Sequence, residues 1–242
     1  MSETTTELKD WKPVPLPEAI PLAGQWVTLE PLSAKKHAPA LWQAVHGHDE
    51  VWQWLGDGPY ANEAELKEAL VAKETGVAAR FYAIVPVATG SAVGYASLMR
   101  MDSENGVIEV GNVLFSPQLQ RTAAATEAMF LMAQYVFDGL GYRRYEWKCN
   151  ASNAPSRRAA ERLGFSFEGV FHQHMVIKGR NRDTAWFAML DSEWPARKAA
   201  FVSWLAESNF DKSGRQKRTL RSFGPLRQPR RRRSDLLSDD PI

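Results

Sequence analysis

The sequence of this 242-residue chain predicts one α/β domain, α+β in type, built on a mixed β-sheet with helices on its faces. Three observations lead there. Strand-like segments alternate with segments of helical spacing in the order β, two or three α, three β, then α, β, α, β, β. Hairpin signals stand beside strand–helix–strand crossovers, a combination foreign to an all-parallel doubly wound sheet. Hydrophobic residues make up 44% and charged residues 24%, which suits a chain that buries a core and excludes a fibre, a coiled coil or a largely disordered protein.

The elements follow in order. Pro13, Pro15, Pro17 and Pro21 impose an extended path on residues 1–21, read as an arm laid on the domain and pinned by Trp11. Val27 to Leu32 alternates as a strand, with Pro31 ending it. Ser33 is placed to cap a helix over Ala34 to Val45, and a short helical stretch holds Val51, Trp52, Trp54 and Leu55 before Gly56, Gly58 and Pro59 break it. Asn62 with Glu65 three residues on starts another helix. Three strands come next: Phe81 to Val85, Ala92 to Met101, and Val107 to Phe115 after the hairpin signal Asn105-Gly106. Thr122 to Phe137 reads as a helix rich in Ala, Met and Leu, closed by Gly139 and Gly141. Tyr145 to Asn150 is a strand, and Asn153 to Leu163 a short helix with Pro155 in its first turn. Phe165 to Lys178 and Arg182 to Leu190 form a hairpin around Gly179, and Trp194 to Leu205 a terminal helix. No internal repeat or Gly/Ser linker divides residues 22–205.

Charge is unevenly spread. Residues 1–210 carry 20 Lys and Arg against 24 Asp and Glu, whereas residues 211–242 carry 10 against 4. With Arg230 to Arg233 in one block and few large apolar residues, the tail over 206–242 is expected to be disordered. It is either a weak contact for RNA or the ribosome or simply a solvated tail. No apolar run reaches the ~20 residues that cross a bilayer. Met1 to Asp10 lacks a secretory pattern, and Cys149, the one cysteine, excludes a disulfide framework and a cysteine-built zinc site. The expectation is a cytoplasmic protein without membrane or metal, monomeric or homodimeric. His172 and His174 alternate on one strand and so share a face, but a zinc site needs further ligands that are not evident. Trp42, Trp52, Trp54 and Tyr60 read as core, or as walls of an acceptor pocket, and Cys149 as inert core.

Val113 to Ala128 is the most informative stretch. A strand ends at Pro117, a short polar loop follows, and a helix opens on small residues. Free amides of a first turn and the positive end of the helix dipole make a place for phosphate, with Arg121 and Thr122 adding donors. The same residues also suit an ordinary alanine-rich helix start.

Gln120-Arg121-Thr122-Ala123-Ala124-Ala125 resembles the pyrophosphate loop Q/R-x-x-G-x-G/A of the GNAT superfamily, the acyl-CoA-dependent N-acetyltransferases, with Ala123 where glycine is usual. That methyl fits only where the backbone is not left-handed. Leu22 to Leu32, Ala125-Thr126-Glu127-Ala128, the run Asn150 to Phe165 with its N-x-x-N-x-x-S…L-G-F pattern, and Gly179-Arg180-Asn181-Arg182-Asp183 resemble the RimJ/RimL-like branch, which includes enzymes that acetylate protein N-termini. The resemblance spans roughly residues 20–195.

It implies a GNAT-like fold: a central, largely antiparallel mixed sheet that splays between two parallel strands, with acetyl-CoA in the gap and no metal. Backbone groups of Val113 and Phe115 would then pair with pantetheine, an amide near Leu114 would polarise the thioester, and Gln120, Arg121, Thr122, Ala123, Ala124, Ala125 and Thr126 would hold the pyrophosphate. The resemblance also points to Glu109 as the base, directly or through water. Strand alternation sets Glu109 beside Val107, Gly111 and Val113, where apolar neighbours would raise its pKa; the alternatives are an exposed strand glutamate or one paired with an Arg. Ser156 stands as the candidate acid for the CoA thiolate, because the position four residues before Gly164, often tyrosine in the superfamily, is Ala160; its hydroxyl could instead only bind sulfur or cap backbone. Asn153 is expected to bind pantetheine amides, compatibly with an N-cap. The implied activity is transfer of an acetyl group to a primary amine, on a protein N-terminus or a small molecule, by direct attack in a ternary complex. The alternatives are an antibiotic or metabolite amine as acceptor, and a non-catalytic CoA-binding or nucleic-acid-associated module acting through the tail.

Overall fold

The computed structural model describes residues 7–224. Eight strands form one sheet: β1 (Leu22–Ala23), β2 (Val27–Pro31), β3 (Ala79–Pro86), β4 (Gly94–Asp102), β5 (Val107–Phe115), β6 (Arg144–Asn150), β7 (Ser166–Ile177) and β8 (Arg180–Leu190). Their spatial order is β1-β2-β3-β4-β5-β6-β8-β7. All neighbours are antiparallel except β5 and β6, which run parallel at the centre. The helices are α1 (Ala34–Val45), α2 (Glu63–Thr75), α3 (Ala123–Gln134), α4 (Ala154–Arg162) and α5 (Trp194–Leu205). This is the mixed sheet with flanking helices that the order of elements predicts.

Local chemistry sets the joints. The Asn62 side chain accepts the Glu65 amide at 3.0 Å and donates to its carboxylate at 3.0 Å, which starts α2. Lys178 and Gly179 both have positive φ (48° and 71°), so β7 and β8 join through a two-residue turn whose twist matches the strands. Strand alternation divides the two faces. Phe81, Tyr95 and Glu109 look toward α1 and α2, while Ile108 and Tyr145 look toward α3 and α4. Helix α3 is buried at every position from Ala124 to Ala133, lying between the sheet and α5, where Phe130 meets Trp194 and Phe201. A helix apolar on all sides is stable only when covered on all sides.

One carboxylate fastens α3 to the sheet edge. Buried Glu127 accepts the amides of Gln25 (3.0 Å), Trp26 (2.5 Å) and Val27 (2.9 Å). Gly24 passes so close to this carboxylate that a Cβ there would overlap it. The arm crosses the strand ends: Trp11 Nε1 donates to the Glu104 carbonyl at 2.8 Å, the Val14 amide to Ser103 at 3.1 Å, and the Tyr82 hydroxyl to the Glu18 carbonyl at 3.0 Å. No helix among the described residues is long and apolar enough to cross a membrane.

Residues 206–224, expected as the start of a disordered tail, instead pack against α5. Leu220 is buried, the Phe210 ring lies 5.2 Å from both Trp26 (tilted) and Trp204 (edge-on), and buried Asn209 donates to the Trp204 carbonyl at 2.9 Å. A basic stretch stays in place here because a few apolar and amide anchors outweigh its ordering entropy. The Arg230 to Arg233 block lies outside the described residues. A chain ending at residue 205 is expected to lose roughly 2–4 kcal/mol relative to one ending at 224, from the burial of Leu220 and Phe210. Urea denaturation of the two truncations measures this, and equal midpoints would show that the segment contributes nothing.

Candidate active site

The pairing of β5 with β6 runs from Val107↔Arg144 to Val110↔Trp147 and stops. Beyond it the strands part. The cause lies on β5. Opposite β4, Ser97 pairs with Gly111 but Tyr95 pairs with Leu114, so β5 holds an extra residue. That bulge places Asn112 at φ 49° and swings Val113 to Phe115 out of line. It is held by Ser97, whose hydroxyl donates to the Gly111 carbonyl at 3.0 Å and accepts from Asn112 Nδ2 at 3.3 Å. Gly94 on β4 meets the Leu114 carbonyl too closely for any Cβ. Leu114 is paired with Tyr95 of β4, so the edge of β5 that faces β6 carries the main-chain groups of Val113 and Phe115 with no strand opposite.

The loop after Pro117 closes one end of this fork. Leu119 and Gln120 donate their amides to the Ser116 carbonyl (3.0 and 3.1 Å), Arg121 is left-handed at φ 63°, and Thr122 caps α3 by accepting the Ala125 amide at 3.1 Å. The left-handed residue is Arg121 and not Ala123, so the alanine that stands where glycine is usual causes no strain. The amides of Arg121, Ala123 and Ala124 have no acceptor among the described residues. Gln120 turns back and donates to the Phe115 carbonyl at 3.0 Å, which braces the loop. Thr126 is buried and accepts from Arg162 Nη1 at 3.1 Å. Arg162 comes from α4 and lies over the Trp204 ring at 5.0 Å; nothing local in the sequence signals that it reaches α3.

The β6 side carries Ser156 at the start of α4. Asn153 caps that helix, accepting the Ser156 amide at 3.1 Å. The Ser156 hydroxyl accepts the Trp147 indole N–H at 3.0 Å and lies beside Cys149. Burial pushes the Cys149 thiol up, and the neighbouring Ser156 hydroxyl opposes that shift. Since an indole only donates, it leaves the serine proton for another acceptor. Trp147 is a partner that sequence reasoning passed over, because a strand tryptophan reads as core.

Glu109 sits at the apex of the fork, but its surroundings are not apolar. Arg100 Nη1 (2.9 Å) and buried Lys148 Nζ (3.0 Å) both bond its Oε2, and Lys148 also holds Glu146 at 2.6 Å and lies over the Trp186 ring at 3.8 Å. The isolated carboxylate expected from strand alternation is thus an ion-paired one. Alternation along one strand takes no account of β4 and β6, which supply the two cations. Oε1 takes no partner among the described residues.

His172 and His174 do not share a face. They bond Asp183 and Thr184, consecutive residues of β8, each at 2.9 Å, because left-handed Gln173 breaks the alternation between them. Among the described residues no group of three or more His, Cys, Asp or Glu is arranged to hold a metal ion. Trp52 is core; Trp42 and Tyr60 are half-buried against His46 and Trp52.

The structure thus brings Glu109, Val113 to Phe115, the Gln120 to Thr126 turn, Asn153 and Ser156 to one fork. It has free main chain on one wall, a hydroxyl on the other and unpaired amides at the end. Such a cleft suits an extended ligand with amide groups along its length and an anionic terminus.

Residues 27–166 match the family model described as Acetyltransferase (GNAT) domain. Among solved structures, a GCN5-related N-acetyltransferase from Brucella melitensis superposes with a TM-score of 0.87 at 52% identity, covering 89% of this chain and 99% of that one. A GNAT-family protein from Chromobacterium violaceum ATCC 12472 gives 0.76 at 39% identity, covering 81% and 98%. The uncharacterized N-acetyltransferase YnaD of Bacillus subtilis (strain 168) is 26% identical over 156 residues, 63% of this chain and 89% of that protein.

Lys148 closes the apex, so Lys148→Met is expected to cost about 3–5 kcal/mol by leaving two buried carboxylates facing each other. Adding Glu109→Gln should recover part of that loss in the same denaturation experiment. A loss below about 1 kcal/mol, the scale of an exposed pair, would mean that water already screens the site.

Proposed function

The chain belongs to the GNAT acetyltransferase family, and from that premise we propose that it is an acetyl-CoA-dependent N-acetyltransferase acting on a primary amine, of a protein N-terminus or a small molecule, by direct attack in a ternary complex. The observation that carries this reading is the parting of β5 from β6 after Val110↔Trp147, with unpaired amides of Arg121, Ala123 and Ala124 at its end. When bound, acetyl-CoA supplies the acetyl group as a thioester. The chain's own residues divide the remaining work. The turn from Gln120 to Thr126 holds the diphosphate through its amides and Thr122. Val113 offers main-chain groups and Phe115 its amide to the pantetheine arm, with Asn153 on the opposite wall, and a backbone N–H beside Leu114 polarises the thioester carbonyl.

Proton movement falls to Glu109 and Ser156. Glu109 accepts the amine proton, directly or through water, on Oε1; Arg100 and Lys148 fix its plane by holding Oε2. Ser156, its oxygen engaged by Trp147, directs its proton to the leaving sulfur. The N-x-x-N-x-x-S…L-G-F pattern from Asn150 to Phe165 supports placement in the RimJ/RimL-like branch.

Ala123→Glu should abolish acetyl-CoA binding by setting a carboxylate against the diphosphate, and unchanged calorimetric affinity in a folded variant would remove the turn from the proposal. Ser156→Ala should lower turnover about 10²-fold, the lower range for a general acid, while acetyl-CoA affinity holds. Equal turnover would remove Ser156 from the chemistry. Salt-sensitive RNA binding with no thiol release across an amine panel would favour a non-catalytic module instead.

A further inference from the structure

Arg182 is a cation that neither the fold nor the proposed chemistry uses. It lies on β8 two residues beyond Thr184, which forms the last rung with β6 at Asn150. β7 pairs with it at Met175↔Arg182, but on its other side the rungs with β6 have ended, at the open end of the fork. There it comes within electrostatic range of Cys149 on one side and of Glu109 and Arg100 on the other. The residue is half-buried, its Nε is shut off from solvent without an acceptor, and the side chain has no carboxylate partner among the described residues. The cations Arg100, Arg144, Lys148 and Arg182 meet the carboxylates Glu109, Glu146 and Glu168 around the apex; the first three make its ion pairs, and Arg182 makes none. Arg157, the other cation near Cys149, bonds the Ala151 carbonyl at 3.2 Å and lies over the Phe167 ring at 5.5 Å. A half-buried guanidinium without a counter-charge is costly to hold, and one lying across the place where two strands part is available to a bound molecule.

We propose that the acceptor amine carries a carboxylate and that Arg182 receives it, making Arg182 a specificity-determining residue of the transfer reaction. This rests on the N-acetyltransferase reading and names its substrate class. The guanidinium presents a planar pair of donors, which a carboxylate fills and a carboxamide fills only in part. Two sources share this chemistry: the α-carboxylate of a free amino acid, and the side chain of an acidic residue at the start of a peptide.

The test uses the full chain and matched acceptors: L-amino acids against their carboxamides, and short peptides opening with Asp or Glu against the same peptides opening with Asn or Gln. Each is measured by thiol release and by calorimetric binding to the CoA-loaded protein. At least one acid should exceed its amide by about tenfold or more in kcat/KM, or in affinity where turnover is slow, because a site built for a group rejects the analogue that lacks it. The amino-acid or the peptide arm that shows the preference identifies the source. Arg182→Gln should erase the preference mainly through KM with acetyl-CoA affinity unchanged, and Arg182→Lys should restore part of it. Acids and amides treated alike, or a preference that survives Arg182→Gln, would overturn the assignment. Loss of acetyl-CoA binding in the unmodified protein overturns the enzyme reading itself, whereas thiol release from neutral amines without acid preference overturns only the role of Arg182.

Discussion

A continuous sheet opens a cleft at its centre only if its strands are locked where they meet and forced apart beyond that point. Here the lock is Lys148. Buried between Glu109 of β5 and Glu146 of β6 and resting on Trp186, it ties the two parallel strands one residue past Val110↔Trp147, the last rung they share. The separating element is the extra residue at Asn112, which bends β5 away immediately afterward. Buried ion pairs add little net stability compared with apolar packing. What this one supplies is position, since Lys148 accommodates one register of β5 against β6 and so fixes where the fork begins.

Everything along the fork inherits that register. Ser156 is placed by Asn153 and Trp147, both attached to the end of β6, and Val113 to Phe115 by the bulge on β5. The turn at Thr122 follows β5 by a single short loop. The walls and the end of the cleft are thus set by two strands and the segments that directly continue them.

Much of this is legible in the sequence because it is local. Asn105-Gly106, the Asn62–Glu65 box and the cap at Asn153 are written within three or four residues of where they act, whereas Ser33, expected to cap α1, stands at its N-cap without a side-chain bond to it, and Thr122, read as helical, is the cap of α3. The interactions that escape are those between distant segments. Glu109 and Lys148 are on different strands, and Arg100, the second cation on Glu109, owes its approach to an irregularity in the register of β4 and β5 between Met99 and Asp102. Two extra residues on β7 between Phe171 and Met175, with Gln173 left-handed among them, turn a histidine pair apart, and no composition rule announces it. Residues 206–224 read as solvated because charge dominates them, yet Phe210, Asn209 and Leu220 suffice to hold them.

The bond from Glu127 to the turn between β1 and β2 has a consequence for ligand grip. Five residues after its cap, α3 is already clamped to the far edge of the sheet, so the amides at its head are preorganised before any anion arrives. On the proposed reading, affinity at that end of the cleft is set remotely by a short peripheral hairpin. A lesion at Gly24, some distance from the cleft in sequence, would then register as weakened diphosphate binding well before it registered as a change of shape.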